Sequence, residues 1–161
     1  MEFRHETIDA NPPGGRLSNC LTTDLTGNGR PDVIVSGMGA ELRRAFPGAE
    51  TLLRVPGSGL VIGPLYRRLE SNVFWYENPG WERHRLTAER DLHLDVGATL
   101  HDVDGDGKVD LLVGQGFGQS DVYWYEQPAD PRDPWIQHLL TDRFQLYHDL
   151  AVGDVDGDGE P

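Results

Sequence analysis

The chain has 161 residues, with 14 Lys plus Arg against 27 Asp plus Glu, so its formal net charge is −13. This acidity argues against a nucleic-acid partner, because a phosphate backbone would be repelled and the sequence has no stripe of basic residues. No apolar run approaches the roughly 20 residues of a membrane span, and the first residues lack the apolar stretch of a secretory signal. The single cysteine, Cys20, excludes an intrachain disulfide, and we expect it to be buried.

The first element in chain order is an Asp/Gly-rich segment, residues 24–32, followed by the apolar run Val33-Ile34-Val35. An insertion of about residues 38–71 comes next, because 41 residues separate Asp32 from Val73 whereas 12 separate the equivalent Asp110 and Val122. We expect this insertion to be a loop with a short helix near residues 41–45. It could carry a function or be surface decoration.

The remaining elements recur in a fixed order. An aromatic strand ending at Pro is followed by a Trp-to-Leu strand, a lead-in strand, an Asp/Gly loop and a short apolar strand. In chain order these segments are residues 73–79, 81–87, 94–100, 102–110, 111–113, 122–128, 135–141, 148–153 and 154–161. A weaker copy of the Trp-to-Leu strand covers residues 3–9.

The spacing of these elements defines an internal repeat. Asp102 and Asp154 are 52 residues apart, and Asp24 and Asp102 are 78 apart because the first copy holds the insertion. Four short strands in about 52 residues, with no sustained helical period, are typical of a β-propeller blade. We therefore predict an all-β fold: a partial β-propeller of about three four-stranded antiparallel blades. Residues 1–161 would form one incomplete propeller domain whose last repeat is truncated at residue 161.

The second loop carries the most specific chemistry. Asp102, Asp104 and Asp106 alternate with residues that let the chain curl, and glycines permit that curl by adopting positive φ. The carbonyl of Lys108 and the carboxylate of Asp110 could add two more ligands. All these donors are hard oxygens, which suit Ca²⁺ rather than a soft metal. A metal-free Asp-Gly hairpin is the alternative.

The other two loops are predicted to bind more weakly. The first has Thr26 and Asn28 in place of two carboxylates, so fewer charges would face an ion. The third lacks a ninth residue, and we expect poor binding or none. The predicted ligands in these two loops are Asp24, Thr26, Asn28, Arg30 through its carbonyl, Asp32, Asp154, Asp156 and Asp158.

An EF-hand or dockerin loop begins with a similar pattern but requires an acidic residue at position 12 and a helix after it. Position 12 here is Val35 in the first copy and Val113 in the second, and strand-like residues follow. The EF-hand interpretation is therefore disfavoured.

The loops, with the run Asp110-Leu111-Leu112-Val113-Gly114, resemble FG-GAP/VCBS repeats, the calcium-binding blades of integrin α-subunit propellers and many microbial proteins. The Trp75-Tyr76-Glu77-Asn78-Pro79 segment is similar to a microbial branch of that family. The resemblance implies Ca²⁺ at the propeller rim, on the loop carboxylates and the Lys108 carbonyl. It also implies that the remaining blades come from a longer chain or from an oligomer. Family members are often extracellular, although the sequence itself leaves the compartment unknown.

Two classes of function fit this resemblance. One is a calcium-stabilised binding or scaffold module for protein or carbohydrate partners. The alternative is the propeller part of a carbohydrate-active enzyme, such as a polysaccharide lyase or a sugar dehydratase, with His93, His101, Tyr147 and His148 as candidate groups. We favour the scaffold, because His84 and His138 recur at the same repeat position, which is typical of a structural residue.

Overall fold

The computed structural model describes residues 4–12, 16–38, 56–57, 73–87, 94, 96–116, 120–143, 147–159 and 161. These residues contain eight β-strands and no α-helix, as the sequence predicts. No helix in this part of the chain is long and apolar enough to cross a lipid bilayer. The strands are β1 (Arg16–Thr23), β2 (Asp32–Met38), β3 (Phe74–Glu77), β4 (Glu82–Arg85), β5 (Val96–His101), β6 (Asp110–Gly114), β7 (Val122–Glu126) and β8 (Ile136–Thr141).

The strands form two four-stranded sheets, and each sheet is antiparallel with its strands in chain order. The first sheet is β1–β4 and the second is β5–β8. An Asp/Gly loop joins the first two strands of each sheet, and a bulge interrupts both first strands, between Leu17 and Asn19 and between Val96 and Ala98. The two sheets thus repeat one structural unit and stack like propeller blades, without closing a ring.

Each sheet has two different faces, because successive side chains of a strand point to opposite sides. Ile34, Trp75 and His84 are register neighbours on one face of the first sheet, which we call its tryptophan face. The opposite face, here the tyrosine face, carries residues such as Val35, Phe74 and Tyr76. In the second sheet the tryptophan face holds Leu112, Trp124 and His138, and the tyrosine face holds Leu111, Val113, Tyr123 and Tyr125.

The main core lies between the sheets, where the tryptophan face of the first sheet meets the tyrosine face of the second. Its buried members are Leu25, Ile34, Val73, Trp75, Leu86, Leu94, Leu111, Val113, Tyr125 and Trp135. A smaller cluster of Val35, Phe74 and Tyr76 buries the tyrosine face of the first sheet. Apolar burial of this kind supplies most of the driving force for folding.

Two sequence expectations have other outcomes. Cys20 is exposed rather than buried, because it lies opposite Val35 on the edge strand β1, outside the main core. Residues 148–153 form no strand, since they pair with no neighbour among the described residues. The described chain has two complete four-stranded sheets plus the lead-in and loop of a third unit, which agrees with the predicted all-β fold of propeller-like blades. The helix predicted near residues 41–45, and nearly all of the 38–71 insertion, lie outside the described residues.

Candidate metal loops

The second loop brings three carboxylates together. One ligand atom from each of Asp102, Asp104 and Asp106 lies within 4.8 Å of the others. Like charges at such distances repel by about 1 kcal/mol per pair even in water. Hydrogen bonds from the loop backbone hold the carboxylates in this arrangement. Asp102 accepts from the N–H groups of Gly105 at 2.8 Å and Gly107 at 2.9 Å.

The glycines give the loop its tight curl. Gly105 and Gly107 have φ of 77° and 86°, in the left-handed region that other residues rarely adopt. The curl turns the backbone N–H of Asp106 toward Asp104 Oδ1 at 3.1 Å, and that of Lys108 toward Asp106 Oδ1 at 2.8 Å. Each predicted carboxylate ligand is therefore oriented by a neighbouring amide.

The first loop has the same geometry with fewer charges. Asp24 accepts from the backbone N–H of Asn28 at 3.1 Å and of Gly29 at 2.7 Å, and Asn28 Oδ1 accepts from the N–H of Arg30 at 2.9 Å. Thr26 stands at the position of Asp104. Its Oγ1 is buried and has no hydrogen-bond partner among the described residues. The backbone shape thus persists where the sequence replaces two carboxylates.

The third loop repeats the arrangement of the second. Ligand atoms of Asp154, Asp156 and Asp158 also lie within 4.8 Å of one another, on a fully exposed turn. Asp154 accepts from Gly159 N at 2.8 Å and Gly157 N at 2.6 Å, and these bonds lower the pKa of Asp154 below its usual value. Three carboxylates therefore converge here as they do in the second loop. The expectation of weak binding at this loop stays a prediction.

Asp110, predicted as the ninth ligand, lies outside the group of three. It is buried, and its two oxygens accept backbone N–H groups from two directions: Val103 at 3.0 Å and Gln127 at 2.9 Å. Asp110 therefore ties the start of its loop to the end of β7. Its coordination of an ion remains a prediction beside this structural role.

Asp32 occupies the same position in the first unit. It is fully buried, and it accepts from Leu25 N at 2.9 Å and Asn78 N at 2.8 Å. The side chain of Asn78 adds a bond to the carbonyl of Pro31 at 3.0 Å, and Asn28 donates to the carbonyl of Asn78 at 2.9 Å. The residue at the ninth position is thus a buried brace in both units.

Lys108 contributes more than the backbone carbonyl that the sequence singled out. Its ammonium group contacts Asp106 Oδ2, so a cation already lies beside the carboxylate cluster. Both side chains are about one-third exposed, and such a surface pair contributes little stability. A divalent ion bound by the three carboxylates would replace this single positive charge.

Comparison with known families finds a match to the part of the chain that carries the second and third loops. Residues 102–161 match the family model for the FG-GAP-like repeat. This part of the chain is similar to an FG-GAP-like repeat. The matched stretch begins at Asp102 and runs through β6, β7 and β8 into the third loop, which confirms the predicted FG-GAP resemblance there. No curated protein and no solved structure showed significant similarity to the chain.

The recurring histidines are structural, as their repetition predicts. His84 packs on Trp75 with ring centroids 4.5 Å apart and bonds to Glu77 at 3.0 Å. In the FG-GAP-like stretch His138 stacks on Trp124 at 4.3 Å and bonds to Glu126 at 2.8 Å. Of the enzyme candidates, His93 lies outside the described residues, and no hydrogen bond, ion pair or ring contact joins His101, Tyr147 and His148 in the part that is described.

Sequence reasoning missed the polar links between the two units. Arg132, in the loop before β8, donates to both Glu77 oxygens at 2.5 and 3.0 Å. Gln127 Nε2 donates to the carbonyl of Leu25 at 3.2 Å, and Trp135 N donates to the carbonyl of Leu86 at 2.8 Å. Repetition cannot reveal them, because each link joins unlike positions of neighbouring units.

Sequence reasoning also missed the contacts of Asp9. It accepts from Tyr76 Oη at 2.7 Å and pairs with Arg83 at 3.1 Å, which fastens the N-terminal segment to the first sheet. The hydrogen bond from Tyr76 is the main cause of a lowered pKa at Asp9. Burial, followed by this same bond, raises the pKa of Tyr76.

The Glu77–Arg132 pair predicts a pH dependence of stability. Bonds from Arg132, more than those from His84, hold the pKa of Glu77 below its usual value. The carboxylate therefore stabilises the fold fully above the unfolded-state pKa of about 4.3, and the effect is lost as pH falls through the folded pKa. We expect Glu77→Gln to cost about 1 kcal/mol at pH 7, since Arg132 is nearly half exposed, and to cost less at pH 3, where the carboxylate is more protonated.

Urea denaturation at the two pH values measures this difference. Glu126→Gln is the matched control, because Glu126 keeps the histidine contact but has no arginine among the described residues. Equal pH dependence in the wild type and in Glu77→Gln would contradict the assignment.

Proposed function

We propose that the chain is a calcium-stabilised scaffold of FG-GAP-like units that presents its surface to a protein or carbohydrate partner. The observation that carries the calcium part is the convergence of Asp102, Asp104 and Asp106 on a loop whose backbone amides already orient them. Pre-organised oxygen donors lower the ordering cost of binding an ion.

The donor set fits calcium in charge and hardness. The three carboxylates of the second loop are oxygen ligands, and the backbone carbonyl of Lys108 is a further candidate. In the first loop the unpartnered, buried Oγ1 of Thr26 is a free oxygen donor at the equivalent position. A bound ion would offset the repulsion within each cluster and fix a turn that joins two strands of a sheet.

Thermal unfolding with and without calcium tests this part of the proposal. A ligand that binds only the folded state stabilises it by about 2.7 kcal/mol per site at 100 times its Kd. We therefore expect Ca²⁺ to raise the melting temperature over that in a chelator, by about 5–10 °C for a domain of this size. Mg²⁺ should raise it less, because it demands a smaller octahedral site.

Variants locate the effect within the chain. Asp104→Asn combined with Asp106→Asn should remove most of the calcium shift while leaving the melting temperature in chelator nearly unchanged. Asp142→Asn is the matched control, since this aspartate is exposed and lies outside the three loops. A calcium shift of equal size in the double variant would refute binding at the second loop.

The scaffold part of the proposal rests on the structural roles of the described residues. The repeated His side chains pack on Trp and hydrogen-bond to Glu within the sheets, and the braces Asp32 and Asp110 hold loops to strands. These groups serve the architecture, which favours a rigid support over a catalytic centre. A binding partner would contact the surface that such a support displays.

A further inference from the structure

Lys108 stands at the seventh position of the second loop, and it is the only lysine in the chain. Its ammonium group contacts Asp106 Oδ2, and its backbone N–H donates to Asp106 Oδ1 at 2.8 Å. Both oxygens of this carboxylate therefore carry a group from Lys108. A calcium ion that uses Asp106 Oδ2 has to displace the ammonium.

The other donors to the three carboxylates are uncharged. Asp102 accepts from the backbone N–H groups of Gly105 and Gly107, and Asp104 accepts from the N–H of Asp106 at 3.1 Å. These amides orient the carboxylates without neutralising them. Within the described ranges, Lys108 is the only charged donor to this cluster. It is therefore the counter-charge of the calcium-free loop.

The seventh position differs among the three loops: it is Arg30 in the first, Lys108 in the second and Glu160 in the third. Arg30 is exposed, its loop has the neutral Thr26 and Asn28 in place of two carboxylates, and it forms no ion pair with any described residue. Glu160 lies outside the described residues, and its charge is negative. The second loop thus combines three carboxylates with a cation that contacts them.

Two kinds of cation can neutralise the same carboxylate. Release of the ammonium has a cost, and that cost is subtracted from the free energy of calcium binding. The side chains of Lys108 and Asp106 are 35% and 33% exposed, so their pair is of the weak class whose loss changes an equilibrium by at most about fivefold. The lysine can therefore adjust calcium affinity without preventing binding.

We infer that Lys108 is a tethered counter-cation, which competes with calcium for Asp106 and sets the calcium concentration at which the second loop fills. In chelator the ammonium relieves part of the repulsion among the carboxylates. In calcium it leaves Asp106 for solvent. The inference rests on the calcium part of the proposed function, and it assigns to the lysine side chain a role separate from that of its backbone carbonyl.

Calorimetric titration of the full chain with CaCl₂ at low ionic strength measures the competition. Lys108→Met keeps an unbranched apolar stem but removes the charge, and it should tighten calcium binding at the second loop by about 3–5-fold. Lys108→Arg keeps the charge and should bind like the wild type. Arg30→Met removes a charge from the same position of the first loop and should leave binding at the second loop unchanged.

A second pair of chains assigns the effect to the second loop. When Asp104→Asn and Asp106→Asn are already present, the lysine has no carboxylate at these positions to compete for. Adding Lys108→Met to that double variant should therefore leave the remaining calcium binding unchanged. An equal gain in affinity with and without the two aspartates would place the effect elsewhere and overturn the inference.

The wild-type chain gives a readout that does not depend on substitution at Lys108. Because Lys108 is the only lysine, limiting acetic anhydride labels one side-chain amine, and mass spectrometry compares it with the amino group of Met1. An ion pair with a carboxylate favours the unreactive, charged amine, so saturating calcium should raise the relative labelling of Lys108 by about threefold. In the variant with Asp104→Asn and Asp106→Asn, calcium should have no effect on labelling.

The outcomes separate this inference from the proposed function. Equal calcium affinity in the wild-type and Lys108→Met chains, or labelling of Lys108 that calcium does not change, would refute the counter-cation and leave the calcium site intact. Absence of calcium binding at the second loop in both chains would refute the proposed function and the inference with it. Tighter binding in Lys108→Met together with faster labelling in calcium supports the inference.

Discussion

Asp110→Ala is expected to lower the free energy of unfolding by about 3 kcal/mol in calcium-free buffer. The substitution removes both acceptors of the brace and leaves the N–H groups of Val103 and Gln127 without partners, at about 1–3 kcal/mol each. Because Val103 is partly exposed, water can satisfy some of that loss. Chemical denaturation in chelator measures the change.

Asp104→Asn is the control for this loss. Its side chain is exposed, and the asparagine oxygen can still accept from Asp106 N, so we expect a change within about 0.5 kcal/mol in the same buffer. Asp110→Asn, which keeps one acceptor oxygen, should fall between the two. If Asp110→Ala destabilised the chain only when calcium is present, Asp110 would be a ligand and not a brace.

Trp75→Ala should cost more than any other single truncation considered for this fold, about 3–5 kcal/mol. Trp75 is fully buried between the sheets, so its loss opens a cavity in the main core. Trp124→Ala removes the same side chain from the equivalent position of the second sheet, where no further sheet covers it among the described residues. We expect a cost of about 1–2 kcal/mol there. Urea denaturation of both variants gives the comparison.

Equal losses in the free energy of unfolding for the two tryptophan variants would contradict the difference in packing between the two faces. The comparison is internally controlled, since both tryptophans contact a histidine ring at nearly the same centroid distance, 4.5 and 4.3 Å. The histidine contacts therefore cancel, and the difference reports what covers each face.

The sequence alone predicted the strand-rich repeat, the order of its elements and the three loops. It could do so because each loop signals itself locally, through glycines at positive φ such as Gly105 and Gly107 and carboxylates at alternate positions. The family match to residues 102–161 agrees with that pattern. Local patterns of this kind can be recognised in a sequence without knowledge of the tertiary structure.

What the sequence did not predict depends on contacts between distant residues. Asp110 follows the ligand pattern of its loop, yet its oxygens are occupied by an amide of the loop and one of the strand end at Gln127. Cys20 looked like a core residue, but its position on an edge strand exposes it. The bond from Arg132 to Glu77 joins residues 55 positions apart in two different units, so no local spacing in the sequence indicates it.

A crystal structure grown with millimolar CaCl₂ tests the central claim most directly, through the anomalous signal at the second loop. Calcium bound there should give an anomalous peak between the carboxylates of Asp102, Asp104 and Asp106, with oxygens at about 2.3–2.6 Å and the Lys108 ammonium displaced. Well-ordered carboxylates with no peak between them, and Lys108 still in contact with Asp106, would contradict it.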